Sequence, residues 1–274
     1  MTLNLDECYN HVYGLVEEAG KLIAARNYGK KSMVEKSSDI DLLTETDQQV
    51  ERLLMDGITS KYPDHKFIGE EETSAGKKAE LTNAPTWIID PVDGTMNFVH
   101  SFPHSCISIA LLIEKITEIA IIHNPVLNQT FTARRGKGAF YNDKPIRVSG
   151  ETRIERALAT TEFGTSRDEE KTSVVLENIG KLVRVVHGIR STGSAALNIA
   201  MVALGGADFN YEFGIHAWDI AAGDLIVREA GGVCLDPAGG PLDLMSRRFI
   251  CASTQELADK VIALITQYYP QPTD

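Results

Sequence analysis

Two carboxylates, Asp90 and Asp93, stand three positions apart in the stretch Trp87-Ile88-Ile89-Asp90-Pro91-Val92-Asp93-Gly94-Thr95-Met96-Asn97-Phe98. Like charges this close repel, so in a compact site one of them holds a proton unless a cation sits between them. Hard divalent ions such as Mg²⁺ favour oxygen ligands of this kind. The amides that follow Asp93, where the chain turns into a helix, offer a seat for a phosphate. Carboxylates, cation and phosphate would then lie side by side. The plainer use of Asp93 is to cap that helix. Asp90, Gly94 and Thr95 beside it favour the site.

Local sequence says which elements must present these groups. Residues 87–89 form an apolar run that reads as the end of a buried strand. Pro91 holds Asp90 extended at the strand tip and breaks the strand there. Gly94 lets the backbone approach a ligand closely. A second acidic run, Glu70-Glu71-Glu72, follows the short apolar strand Phe67-Ile68 and Gly69. Two strand tips bearing acids could converge, with Glu70, nearest its strand, pointing inward; the alternative is a solvated charge run. Asp47 lies three residues after Thr44 at the start of a helix, as in a capping pair. It could equally be a first-turn acid favoured by the helix dipole. Asp219, in Trp218-Asp219-Ile220-Ala221-Ala222-Gly223, starts another helix, where a cap would also explain it. The turn Ser191-Thr192-Gly193-Ser194-Ala195 enters a helix through small residues, which either admit a ligand to the amides or pack the helix tightly.

The rest of the chain supplies a scaffold. An amphipathic helix is expected over 5–26, with Val12, Leu15, Val16, Ala19, Leu22 and Ile23 on one face. Residues 30–41 are polar and read as a loop or hairpin. The helix from Thr44 buries Val50, Leu53, Leu54 and Ile58 and stops at Tyr62-Pro63. Strands over 105–113, 116–122 and 129–134 make the middle third sheet-rich and mostly antiparallel. Beyond Gly150 strands (158–163, 183–186, 207–213, 233–235, 249–252) alternate with helices (169–182, to Leu204, from Asp219, and 254–268), a second α/β layer. His100 and His104 have ligand-like spacing but no third ligand near, and read as structural or surface residues. Two halves, 1–150 and 151–274, are expected to act as one catalytic unit.

Lys and Arg number 27 against 38 Asp and Glu in 274 residues, a net charge of −11. That balance argues against a nucleic-acid partner. A phosphorylated substrate stays open, because metal ions can supply positive charge locally. Cys8, Cys106, Cys234 and Cys251 are widely spaced and match no zinc pattern, so free thiols of a reducing compartment are expected. With no signal peptide and no apolar run long enough to cross a bilayer, a cytoplasmic protein that does not engage membranes is the expectation.

Asp90-Pro91-Val92-Asp93-Gly94-Thr95 resembles the first signature of the inositol monophosphatase family, and Trp218-Asp219-Ile220-Ala221-Ala222-Gly223 with Glu229-Ala230-Gly231-Gly232 the second. Gly69-Glu70-Glu71 and Asp41-Leu42-Leu43-Thr44 with Asp47 resemble the family's upstream elements. Met96 stands where a small residue is usual. The resemblance implies a layered αβαβα sugar-phosphatase fold of mixed α/β class, with an antiparallel N-terminal sheet and a smaller mixed C-terminal sheet. It also implies a homodimer, a Mg²⁺ requirement, lithium inhibition and hydrolysis of a small phosphate monoester, myo-inositol monophosphate, by a metal-activated water. By the same resemblance Glu70, Asp90 and the Val92 carbonyl hold a first metal and Asp90, Asp93 and Asp219 a second, with Glu70 helping a third. The Gly94 and Thr95 amides take the phosphate, and Thr95 with Asp47 orients the water. Gly193, Ser194, Ala195 and Glu212, with Asp93 and Asp219, meet the inositol hydroxyls, and Lys36 lies on a loop over the metals. The alternatives are a related phosphatase for fructose bisphosphate, a bisphosphorylated nucleotide or histidinol phosphate, and a non-catalytic scaffold. The last expects a lost metal ligand, and all four acids are present.

Overall fold

Asn4 accepts hydrogen bonds from the amides of Asp6 and Glu7 and starts α1 (Leu5–Arg26), whose stripe of Cys8, Val12, Val16, Ala19 and Ile23 is buried. The computed structural model describes residues 3–29, 33–35, 42–77 and 79–270. Strands β1 (Met33–Glu35) and β2 (Leu42–Thr44) pair antiparallel, so the expected hairpin is present in its two arms. Lys36 and Asp41 lie outside the described residues. A capping box between Thr44 and Asp47 starts α2 (Glu45–Lys61), which buries Val50, Leu54 and Ile58.

Seven strands form the larger sheet, in spatial order β3 (Lys66–Gly69), β4 (Thr86–Asp93), β5 (Cys106–Ile113), β6 (Ile116–Asn124), β7 (Gln129–Arg134), β8 (Ala139–Tyr141) and β9 (Lys144–Pro145). Its pairs are antiparallel except β3 with β4, which run parallel. That exception matters for the site. Gly69 pairs with Ile89, so Glu70 and Asp90 follow side by side at the same end of the sheet. Short helices α3 (Glu70–Ser74) and α4 (Thr95–Val99) start just past these two strands.

The smaller sheet is mixed: β11 (Gly188–Arg190), β10 (Leu158–Thr160) and β12 (Phe209–Phe213) run parallel, then β14 (Arg248–Ala252) and β13 (Val233–Leu235) complete it antiparallel. Its helices are α5 (Glu169–Leu182), α6 (Ala195–Leu204), α7 (Ala217–Glu229) and α8 (Gln255–Leu264). Three cores give the layering. Trp87, Ile89, Ile107, Ile109 and Ile121 pack under α1 and α2. Ile88, Ala110, Leu112 and Ile122, on the opposite face, meet α6 and α7, which also cover Phe249 and Cys251 of the smaller sheet. Phe209, Tyr211 and Ile250 face the outer helices, with Leu182 of α5 and Leu257, Ala258 and Val261 of α8. The order is helix, sheet, helix, sheet, helix, the αβαβα stack expected. Because β4 is covered on both faces, all eight of its residues are buried.

Several boundaries differ from expectation, among them β10, which ends at Thr160 rather than at 163, and β12, which starts at Phe209 rather than at 207. β4 does not break at Pro91 but continues to Asp93, with a register shift against β5 between Asp90 and Asp93. A bulge is a place where a strand tolerates proline. Residues 183–186 are no strand but a turn closing α5, with Val183 exposed; the strand follows at Gly188. The last helix ends at Leu264, short of Tyr268. All four cysteines are free and buried.

Trp87 is wholly buried and its indole nitrogen donates to His65 Nδ1 at 3.0 Å. Trp87→Ala is expected to cost about 3–5 kcal/mol of unfolding free energy, measurable as a lowered urea midpoint with an unchanged slope.

Candidate active site

The tip of β4 brings Asp90 and Asp93 to the junction of the two sheets, and α7 brings Asp219 to them. One carboxylate oxygen of each lies within 4.8 Å of the others. Asp90 and Asp93 are buried and Asp219 is half-buried. The link is mechanical. Ser108 is the register partner of Asp90 on β5, and its hydroxyl donates to the Trp218 carbonyl at 2.9 Å. That bond ties the first turn of α7 to the strand beside Asp90. Asp219 accepts the His216 amide at 2.7 Å, so it sits in the first turn and closes a capping box rather than serving as the N-cap residue itself. The His216 ring stacks on Trp218, centroids 4.4 Å apart.

Each acid is held by donors. Asp90 accepts the Val92 amide at 2.9 Å. Asp93 accepts the Ser194 hydroxyl in a short bond and the Ala196 amide at 2.9 Å, so the start of α6 points at its carboxylate. Glu70, at the start of α3, is half-buried and reaches Asp90 by hydrogen bond, as Asp219 does. Glu71 is the more buried of the two neighbours, and its amide donates to Glu51 at 3.1 Å. Thr95 Oγ1 lies 3.1 Å from Asp47 Oδ1 and 2.9 Å from the Val92 carbonyl. Asp47, wholly buried, also accepts the Thr44 amide at 3.1 Å.

Electrostatics follow from the crowding. Burial and then the charges of Glu70, Asp93 and Asp219 hold Asp90 well above the usual carboxylate range. Asp219 is raised by burial and then by Asp93. Burial pushes Asp93 to about 6, against the Ser194 and Ala196 donors that favour its charge. Among the described residues no ion pair reaches Asp90, Asp93 or Asp219. Contacts between carboxylates need either a shared proton or a cation. Oxygens on opposite sides of a magnesium ion stand about 4 Å apart, and the three aspartates are gathered to nearly that spacing. The residues therefore fit a hard divalent ion. His100 and His104 are not part of the cluster.

The substrate-side residues are arranged differently from a simple ligand seat. Gly94 has a φ of +85°, and a Cβ there would come within 2.8 Å of the His104 carbonyl and 2.9 Å of the Gly193 carbonyl. Gly193, at φ +80°, would place its Cβ 2.7 Å from Asn97. Asn97 in turn donates to the Thr192 and His104 carbonyls, each at 2.7 Å. The turns after β4 and before α6 thus interlock, and only glycine fits at their contact. Glu212 is buried with one carboxylate oxygen lacking a partner, and burial followed by the Glu162 charge raises it well above the ordinary range.

A model of the inositol monophosphatase family matches residues 4–269. The chain belongs to this family. Inositol monophosphatase 1 of Homo sapiens is 48% identical over 256 residues, 93% of this chain and 92% of that protein. Inositol monophosphatase 2 of Rattus norvegicus is 44% identical over 254 residues, 92% of this chain and 88% of that one. Among solved structures, an IMPase of Thermotoga maritima aligns with a TM-score of 0.83 at 32% identity, covering 94% of this chain and 96% of that chain. As a member of the inositol monophosphatase family the chain is a phosphatase, and its acidic cluster is suited to the metal such chemistry uses.

Sequence reasoning missed Glu51, Ser108 and Glu162. Glu162 had a readable signal, an acid at a strand tip like Glu70 and Asp90. Ser108 and Glu51 had none, since each acts on a residue distant in sequence or through backbone alone.

In the metal-free protein, aspartates raised above their ordinary value of 3.8 bind more protons folded than unfolded. The Asp93 contribution to stability therefore falls as pH rises from about 4 through about 6, and those of Asp90 and Asp219 are lost in the same sense as pH rises above the ordinary carboxylate range. Asp219→Asn removes one of the repelling charges and keeps an acceptor for His216. Metal-free Asp219→Asn is expected to melt above the metal-free parent at pH 7.5, with the gap closing towards pH 4.5. Melting curves by circular dichroism in chelator test this, and a parent more stable at pH 7.5 would refute it.

Proposed function

We propose that the protein hydrolyses myo-inositol monophosphate to inositol and phosphate with Mg²⁺ as cofactor. The observation that carries the reading is the gathering of Asp90, Asp93 and Asp219, with Glu70 on Asp90, at one buried junction. The inositol monophosphatases 1 and 2 to which the chain is similar support the substrate class. Glu70, Asp90 and the Val92 carbonyl would hold one ion, Asp90, Asp93 and Asp219 another, and Glu70 would help a third. A divalent ion bound there supplies an acidified water and offsets charge on the phosphoryl and leaving oxygens.

The chain's own groups do the placing. With its proton directed to Asp47 or to the Val92 carbonyl, Thr95 Oγ1 is left to accept from an incoming water, and Asp47 stands behind it to bear the proton load. Glu70 and Asp90 would take their catalytic part as ligands of the ion whose water Thr95 and Asp47 orient. The Gly94 and Thr95 amides bind the phosphate. Phosphoryl transfer needs in-line placement more than covalent chemistry. Gly193, Ser194 and Ala195 define one wall for the polyol. Glu212, with an unpartnered buried oxygen, accepts a substrate hydroxyl, and Asp93 and Asp219 do the same from their side. That unpartnered oxygen favours a polyol over the other small phosphate esters, because a buried acceptor left unpaired is costly. Residues 1–150 and 151–274 act as one catalytic unit, since both contribute carboxylates. By the family resemblance the protein is a lithium-inhibited homodimer; its net charge of −11 disfavours a nucleic-acid partner, and a cytoplasmic location without a membrane partner completes the reading.

Phosphate release from inositol 1-phosphate should saturate with Mg²⁺ and stop in chelator. Loss of an outer contact to a metal ligand costs about 10–100-fold, so Asp219→Asn, at a ligand itself, should lose about 100-fold or more in kcat while folding normally. An active, Mg²⁺-saturable Asp219→Asn enzyme would remove Asp219 from the metal site. Silence on inositol 1-phosphate with turnover of fructose bisphosphate or histidinol phosphate would reassign the substrate.

A further inference from the structure

Glu162 lies just past β10 and touches none of the residues assigned above to the metal. Its Oε1 accepts the Thr192 amide at 2.7 Å, the Gly193 amide at 2.8 Å and the Asn198 side-chain amide at 2.8 Å. Its Oε2 accepts the Ser191 hydroxyl at 2.6 Å. Four donors on one carboxylate, all from residues 191–198, fix the whole turn that leads into α6. Thr192 adds a hydroxyl bond to Asn198 at 2.7 Å, and Asn97 holds the Thr192 carbonyl from the other side. The turn is thus clamped between Glu162 and Asn97, and its next residues are Ser194 and Ala195.

We infer that Glu162 is a specificity-determining positioning residue, one that shapes the polyol side of the site by fixing residues 191–195. This rests on the reading of the site given under Proposed function. The Glu162 charge also bears on Glu212, the unpartnered acceptor on the same side. The carboxylate engages the amides of Thr192 and Gly193 itself, so those donors are withheld from substrate. What the turn presents instead is a fixed wall. A hydroxylated leaving group needs that wall; the phosphoryl group does not.

The test compares two substrates on the Mg²⁺-loaded full chain. Inositol 1-phosphate has hydroxyls to place, and 4-nitrophenyl phosphate has none. Misplacing a substrate costs far more than losing a contact, so Glu162→Ala should raise KM for inositol 1-phosphate about tenfold or more, and leave kcat/KM for 4-nitrophenyl phosphate within about threefold. Glu162→Gln keeps an acceptor oxygen for the two amides and should restore most of the selectivity. Mg²⁺ binding without substrate, by calorimetry, should match the parent in both variants. Equal losses on both substrates, or no loss on either, would overturn the inference. If the alanine variant does not fold, the same ratio is read on Glu162→Asp, whose carboxylate is one methylene short of the four donors of the turn, and there a parallel loss on both substrates or an unchanged ratio overturns it. A parent silent on inositol 1-phosphate would sink the reading of the site instead, which keeps the two failures apart.

Discussion

The constraint on which this structure turns is the repulsion between carboxylates that the fold forces together out of bulk water. Asp90, Asp93 and Asp219 cannot all be charged at this spacing without a counter-charge, and their raised proton affinities express that. The fold offsets part of the cost locally. Glu70 and Asp219 lie in the first turns of α3 and α7, Thr95 opens α4, and the start of α6 faces Asp93. Helix starts are where amides lack partners, so four of them meeting at one place give a field suited to anions. What they do not supply is a mobile positive charge, and that is the role left to a divalent ion.

The same constraint draws its carboxylates from both sides of Gly150. Asp90 and Asp93 come from the larger sheet, Asp219 from the helix layer between the sheets, and Glu162 and Glu212 from the smaller sheet. The middle layer is the mechanical coupling. α7 packs on Ala110, Ala120 and Ile122 of one sheet and on Cys234 and Phe249 of the other. The Ser108 bond to Trp218 then fixes its first turn against β5. Small residues on α6 and α7, among them Ala196, Ala200, Ala221 and Ala222, let the layers approach closely enough for these contacts.

How far the chain could be read before its structure depended on whether a feature was local. The bounds of α1 follow from its stripe and caps, and those of β7 from its composition and turns. The seven-stranded sheet was legible as a run of antiparallel strands because its turns at Glu114-Lys115 and Asn142-Asp143 are short and take positive φ. The parallel pairing of β3 with β4, which sets Glu70 beside Asp90, is not local and left only the hint of acids at two strand tips. Residues 183–186 misled because valines suggest a strand, yet here they close a helix and Val183 is exposed. Asp219 looked like a cap and is part of one, so its local chemistry concealed its place in the cluster. Asp90, Asp93 and Glu70 were legible as acids at strand tips, whereas Asp219 joined them through the family motif. The groups that set these acids and the turn beside them, the Ser108 and Ser194 hydroxyls as donors and the Glu51 and Glu162 carboxylates as acceptors, come from far along the chain, apart from Ser194 outside those motifs.

Helix α2 carries two of these long-range hydrogen bonds, both accepted by its carboxylates. Asp47 and Glu51 are one turn apart and both buried. Asp47 receives Thr95 from the tip of β4, and Glu51 receives the Glu71 amide at the start of α3. Burial raises Glu51 to about 7, against the favourable Glu71 donor, so keeping an acid there costs stability. A leucine at this position would pack the core without that cost, but it would remove the acceptor for the Glu71 amide in the first turn of α3, next to Glu70. The helix therefore works as a rigid ruler with two acceptors set at the spacing of two strand tips. Sites whose chemistry needs several carboxylates at fixed separation are served by such buried acceptors, because a donor bond fixes direction as well as distance, which apolar packing does not.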